Sequence, residues 1–153
     1  MENFDRTSLL LSLKGLGDGN VHLKLSHLYN ALSLLHITLP KGNWIGVYLY
    51  DNNEKNLVLG PFAGTPACET IPSGKGVVGT CYKEKKSIVV EDVSTFPGYI
   101  CCDPLAKAEI VVPLKKNGII KGVLDVDYPE GHSLKDEKQF YEDVAEILST
   151  WIW

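Results

Sequence analysis

Two adjacent cysteines, Cys101 and Cys102, follow the turn Phe96-Pro97-Gly98 and immediately precede Asp103. Glu109 comes shortly after, opening the apolar run Ile110-Val111-Val112-Pro113-Leu114. A thiol on a turn, beside carboxylates and next to a buried strand, has the setting for nucleophilic thiol chemistry. The reacting species is the thiolate, and its formation depends on local charge and exposure. Cys68 and Cys81 lie upstream. Taken singly, any of the four thiols reads equally as a small buried hydrophobe. Metal chemistry is not expected. No C-x-x-C pair occurs, and His22, His27, His36 and His132 lack ligand spacing, with His22 and His27 on different faces of one helix. P-loop, nucleophile-elbow and dinucleotide fingerprints are absent, and Gly74-Lys75-Gly76 reads as a helix-opening turn.

The acids carry more information. Asp125 and Asp127 stand two apart at the end of an apolar stretch, so on a strand both point to one face. Carboxylates held close together repel, which raises the proton affinity of one of them. Such a pair can hold an ammonium group with one member and donate a proton with the other. The competing reading is a strand that ends in solvent. Trp44 and Tyr48 also share a strand face, with Gly46 leaving a gap between them. They form either an aromatic wall for a thioether or for positive charge at sulfur, or a core pair.

The elements that must position these residues follow from periodicity. Asn3 to Leu13 reads as an amphipathic helix ended by Gly15, Gly17 and Gly19. A second helix runs from Val21 to about His36, with Asn20 as its N-cap. After the turn Pro40-Lys41-Gly42-Asn43 the period becomes two. Strands are expected at Trp44 to Tyr50 and Asn56 to Phe62, joined by Asp51-Asn52-Asn53. Gly64 to Lys75 is a long connection holding Cys68. A helix from Val77 to about Lys83 carries Cys81, Ser87 to Val90 is a short strand, and Glu91 to Cys102 is irregular. Strands at Glu109 to Leu114 and Ile119 to Val126 form a hairpin around Asn117-Gly118. A last helix runs from Leu134 to about residue 150, with Ser133 and Asp136 resembling a capping box.

This order predicts an α+β fold in a single domain spanning residues 1–153. Helices occupy about 3–36, a mostly antiparallel central sheet about 43–127, and a flanking C-terminal helix about 134–150. A chain of 153 residues with 44% hydrophobic and 22% charged residues is long enough for its own core. A net charge of -4 argues against nucleic acid or an anionic membrane as partner. The chain has no apolar run of membrane-spanning length and no expected export signal. A cytoplasmic location follows, where a disulfide is usually transient or catalytic.

Several ordered blocks together resemble the free methionine-(R)-sulfoxide reductases, which have the GAF fold. They are Asn43-Trp44-Ile45-Gly46-Val47-Tyr48-Leu49, Leu59-Gly60-Pro61-Phe62, Ala67-Cys68-Glu69-Thr70-Ile71-Pro72, Gly74-Lys75-Gly76-Val77-Val78-Gly79-Thr80, Phe96-Pro97-Gly98, Cys102-Asp103, Glu109-Ile110-Val111 and Gly122-Val123-Leu124-Asp125-Val126-Asp127. The resemblance implies Cys102 as nucleophile and Cys68 as resolving cysteine. It implies Glu109, Asp125 and Asp127 as the acids that bind and protonate substrate, and Trp44 and Tyr48 as the aromatic wall. The implied reaction reduces free L-methionine-(R)-sulfoxide through a sulfenic acid and an intramolecular disulfide. It uses no cofactor beyond an external dithiol such as thioredoxin, and GAF relatives imply a homodimer through the N-terminal helices. The sequence departs from the family pattern at Val78, where a third cysteine is usual, and Cys81 one helical turn on is a candidate auxiliary thiol. Tyr99 stands for a histidine, Ala106 and Ala108 for serines, and Cys101 for an alanine. Two alternatives share the fold: a catalytically inactive GAF small-molecule sensor, and a cysteine redox sensor oxidised between Cys68 and Cys102.

Overall fold

The structure, a computed structural model, describes residues 5–17, 22–39, 44–130 and 133–153. Four helices are α1 (Arg6–Leu16), α2 (Lys24–Thr38), α3 (Gly76–Glu84) and α4 (Lys138–Ser149). Six strands are β1 (Trp44–Asp51), β2 (Asn56–Ala63), β3 (Thr70–Pro72), β4 (Ile88–Val90), β5 (Ala108–Lys116) and β6 (Ile119–Tyr128). They form one sheet in the order β3-β2-β1-β6-β5-β4, antiparallel at every pairing. The expected α+β architecture, an antiparallel sheet flanked by N- and C-terminal helices, is the one observed.

Alternation along the strands divides the protein into two cores. Ile45, Val47, Ile110, Val112, Leu124 and Val126 turn to one face and bury against Leu9 and Leu13 of α1, Leu28, Leu32 and Leu35 of α2, and Phe140, Val144 and Leu148 of α4. The intervening residues Trp44, Tyr48, Val111 and Val123 turn to the other face. They meet Ile71 of β3 and Val77, Val78 and Cys81 of α3. Because the side-chain period is two, a slip of one residue would exchange the two faces. Register is held at β5–β6 by the turn Asn117-Gly118, both residues with positive φ (52° and 77°), as a tight hairpin requires.

Several boundaries differ from the sequence reading. Helix α1 continues through Gly15 and ends at Gly17, whose missing side chain lets the Trp151 indole lie against the backbone. Helix α2 begins at Lys24 after Leu23, which offers no side-chain cap. The expected cap Asn20 and the turn 40–43 lie outside the described residues. Helix α4 begins at Lys138, not Leu134. Leu134 is buried in the main core, a turn intervenes, and Glu137 at the N-cap position pairs with Arg6 of α1 without capping its helix. The connection Gly64 to Lys75 contains a strand, β3, which pairs with β2 at the sheet edge.

Candidate active site

The register of the three central strands assembles the acids. Asp127 lies opposite Trp44 on β1 and opposite Glu109 on β5; Asp125 lies opposite Gly46 and Val111. Directly paired residues share a sheet face. Glu109, Asp125 and Asp127 therefore stand together on the face that α3 covers, with one carboxylate oxygen of each within 4.8 Å of the others. Glu109 and Asp125 are buried and Asp127 is partly exposed. Burial raises the pKa of all three, and neighbouring carboxylate charge raises each further. Glu109 and Asp125 interact directly with each other, and both hold their protons more tightly than an ordinary carboxyl group. Asp125 Oδ1 is buried without a partner among the described residues.

The loop preceding β5 brings Cys102 to this cluster. Cys102 forms a disulfide with Cys68, with Cα atoms 5.3 Å apart, inside the roughly 4.4–6.8 Å range that disulfides occupy. Cys101 beside it is exposed and free. Cys102, Asp103, Glu109, Asp125 and Asp127 line a cavity of about 20 Å³, and Tyr99 and Ile100 complete that side. The opposite lining comes from Ile71 and from Gly76, Val77 and Val78, the first turn of α3. Gly76 has φ of 60°, and an added methyl would press on Ile100, so glycine lets the helix start this close to the Cys102 loop. The N-cap residue Lys75 provides no side-chain hydrogen bond to the first-turn amides. Burial and the charges of Glu109 and Asp127 raise the pKa of the Tyr99 phenol.

Not every residue singled out in the sequence lines the cavity. Trp44 and Tyr48 are both 1% exposed and lie among the buried side chains of the second core. The gap at Gly46 is filled by the Trp44 indole itself, which stacks on Phe62 (ring centroids 5.5 Å apart). Their polar ends reach outward to the loop that carries Cys68. Trp44 Nε1 donates to the Thr65 carbonyl and Tyr48 Oη to the Cys68 carbonyl, both at 2.9 Å. Cys81, on the buried side of α3, is fully buried, its Sγ 3.6 Å from the Val111 carbonyl oxygen it donates to, and its pKa is raised by burial and by Asp125 and Glu109. Val78, where the related family usually has cysteine, lines the cavity. The sequence alone assigns no role to Asp103, Thr65 or Ile100. Asp103 is detectable as the acid following Cys102, whereas Thr65 has no local signal.

A larger groove of about 460 Å³ runs between α1 and α4, lined by Leu10, Lys14, Asp143 and Trp151 among others. It contains no cysteine. Thiol and grouped acids occur together only at the small cavity among the described residues.

Comparison with known proteins agrees with this geometry. A GAF domain family model matches residues 3–151. The free methionine-R-sulfoxide reductase of Saccharomyces cerevisiae is 41% identical over 148 residues, covering 92% of this chain and 82% of that protein. A solved free methionine-R-sulfoxide reductase from Neisseria meningitidis, in complex with its substrate, superposes with a TM-score of 0.89. It is 31% identical, with 95% of this chain and 87% of that one covered. The reduced form of fRMsr of Staphylococcus aureus superposes with a TM-score of 0.88 at 39% identity, covering 97% of this chain and 96% of that one.

Proposed function

The chain belongs to the GAF-domain family of free methionine-R-sulfoxide reductases, and on that premise we propose that it reduces free methionine-(R)-sulfoxide with Cys102 as nucleophile. The observation that carries this reading is the disulfide between Cys68 and Cys102 on the rim of a cavity floored by three carboxylic acids. Few other reactions need both a sulfur that can be oxidised and resolved, and a buried acid that holds a proton at neutral pH.

The Cys102 thiolate attacks the sulfoxide sulfur. An acid of the cluster gives its proton to the sulfoxide oxygen, which gains basicity as the S–O bond breaks. Glu109, Asp125 and Asp127, all with raised pKa values, are the candidate donors. The oxygen passes from the methionine sulfur to the Cys102 sulfur as the bond between the two sulfurs breaks, so methionine leaves as the thioether and Cys102 remains as a sulfenic acid. Cys68 then displaces water to form the disulfide, and an external dithiol of the thioredoxin type reduces it by exchange. Ionised members of the cluster hold the substrate ammonium.

Acids beside Cys102 disfavour its thiolate. Two features oppose this. Burial and mutual repulsion raise the proton affinity of all three acids, which reduces the negative charge they present to the thiol. The first turn of α3 also borders the cavity, its N-cap residue Lys75 makes no side-chain cap, and a helix N-terminus favours an anion. Trp44 and Tyr48 act as the aromatic wall once the Cys68 loop moves away from them. The setting is the cytoplasm, where such dithiols are maintained. Among the described residues no helix is long and apolar enough to cross a membrane.

The test uses purified protein, dithiothreitol and racemic free methionine sulfoxide, with the isomers resolved by chirality. Consumption of the R isomer alone, abolished in Cys102→Ser, is the expected result. In Cys68→Ser without reductant, one methionine per protein is released and a sulfenic acid accumulates. If neither isomer is consumed while methionine still binds, the protein is a small-molecule sensor and the reductase reading fails.

A further inference from the structure

The loop that carries Cys68 and the loop that carries Cys102 are joined at a second point besides the disulfide. Thr65 Oγ1 donates to Asp103 Oδ2 at 2.8 Å. Asp103 is 7% exposed, and its Oδ1 accepts the Leu105 N–H at 2.8 Å, which fixes the carboxylate relative to its own backbone. Thr65 is three residues before Cys68, and Asp103 is the residue after Cys102. The backbone of the Cys68 loop is also held from below by Trp44 at the Thr65 carbonyl and by Tyr48 at the Cys68 carbonyl. Those two bonds tie the loop to the sheet. The Thr65–Asp103 bond ties it to the nucleophile.

We propose that Thr65 and Asp103 form a clasp that positions Cys68 for attack on oxidised Cys102, making both of them positioning residues for the resolving step; the proposal rests on the reductase reading for its biological use. The argument is one of loop closure. Residues 65 and 103 are separated by 38 positions and the two cysteines by 34, so clasp and disulfide close nearly the same loop. The entropy of closing a flexible loop must be met once. With the clasp in place, forming the S–S bond closes only the short ring from Thr65 to Cys68 and from Cys102 to Asp103. The effective concentration of the Cys68 thiol at Cys102 rises accordingly.

In the resolving step the Cys68 thiolate attacks the Cys102 sulfur of the sulfenic acid. The S–O bond breaks, hydroxide departs, and the proton from the Cys68 thiol makes it water. Cys68 is oxidised and Cys102 reduced by equal amounts. The clasp takes no part in this bond exchange. It accelerates the step and stabilises the product disulfide by holding the partners near, and it leaves the earlier attack on substrate untouched.

Thr65→Val tests this in the full chain. Thr65 is exposed and outside both cores, so the fold is retained, as far-UV circular dichroism would verify. The first arm equilibrates the protein in glutathione buffers and counts disulfide against dithiol by mass after alkylation. The equilibrium is expected to move toward dithiol by about tenfold, the worth of a hydrogen bond to a charged acceptor, or about 30 mV for a two-electron couple. The second arm forms the Cys102 sulfenic acid with hydrogen peroxide and traps it with dimedone; its lifetime is expected to lengthen about tenfold on the same basis. Thr65→Ser, which keeps the hydroxyl, restores parental behaviour in both arms. An unchanged disulfide equilibrium, an unchanged sulfenic acid lifetime, or a Thr65→Ser that behaves like Thr65→Val overturns the clasp. Neither arm uses methionine sulfoxide. A parent protein that releases no methionine therefore sinks the reductase reading and leaves the clasp to be decided by these two measurements.

Discussion

Asp125 bears a cost that its neighbours share only in part. It is buried, it sits against two other acids, and its Oδ1 has no partner among the described residues. A buried acceptor without a bond costs about 1–3 kcal/mol. Each acid of the cluster holds its proton more tightly in the folded chain than in the unfolded one. The folded state therefore binds more protons, and its stability falls as pH rises above the ordinary carboxylate value of about 4. Asp125→Asn removes one ionisable member and supplies an amide donor to Glu109. The variant should unfold at higher temperature than the parent at pH 8 and lose that advantage as the pH is lowered toward 5, in thermal melts across that range. Methionine release should fall in the same protein. A melting difference that does not change with pH would show that the cluster's protons have no part in the stability of the fold.

At the scale of elements, most of the site could be read from the sequence because strands obey a period of two. The pairing of Asp125 with Asp127 on one face, and of Trp44 with Tyr48 on theirs, follows from alternation alone. The Asn117-Gly118 turn then sets the register that places Glu109 beside Asp127. What escaped the sequence depended on contacts between distant segments. Strand β3 is three residues long with a proline at its end, too short to show a period, and it exists because the edge of β2 offers partners. The start of α4 was misplaced because Arg6, more than a hundred residues away, occupies the acid at its N-cap position. Gly46 illustrates the same limit. Alternation marks it as a gap between two aromatics, but only packing shows that the Trp44 indole folds into that gap and stacks on Phe62. A methyl at Gly46 would collide with that indole and with Phe62. Gly46→Ala should therefore cost about 1–3 kcal/mol by overpacking. Since the displaced Trp44 also holds the Thr65 carbonyl, the variant should resolve its sulfenic acid more slowly. Denaturant unfolding and dimedone trapping measure the two effects, and a destabilised protein with unaltered trapping would remove Trp44 from the support of the Cys68 loop.

For the whole molecule, the two-core arrangement separates what must stay rigid from what must open. The core built by α1, α2 and α4 lies on the face of the sheet away from the thiols. The other face is covered by α3 and by the two loops that the Cys68–Cys102 disulfide joins across a separation of 34 residues. In this oxidised state the cavity of about 20 Å³ has room for about one water and lies far below the roughly 300–1,000 Å³ of pockets that enclose a small-molecule ligand. Turnover therefore demands that reduction loosen the second face without unfolding the first. The chain-entropy account of a cross-link of this span gives about 3–4 kcal/mol. For a domain of this size that corresponds to a fall of about 10 °C in melting temperature on reduction. The Thr65–Asp103 clasp does not require the disulfide, so on reduction the two loops should loosen together from the sheet without separating from each other. Hydrogen exchange with and without dithiothreitol makes the distinction. Amides in residues 64–70 and 99–105 should exchange faster after reduction, while those of β1, β5, β6 and α4 keep their protection. Uniform loss of protection across both faces would mean that the disulfide supports the entire fold, and a protein so dependent on it could not cycle through its reduced form as a catalyst must.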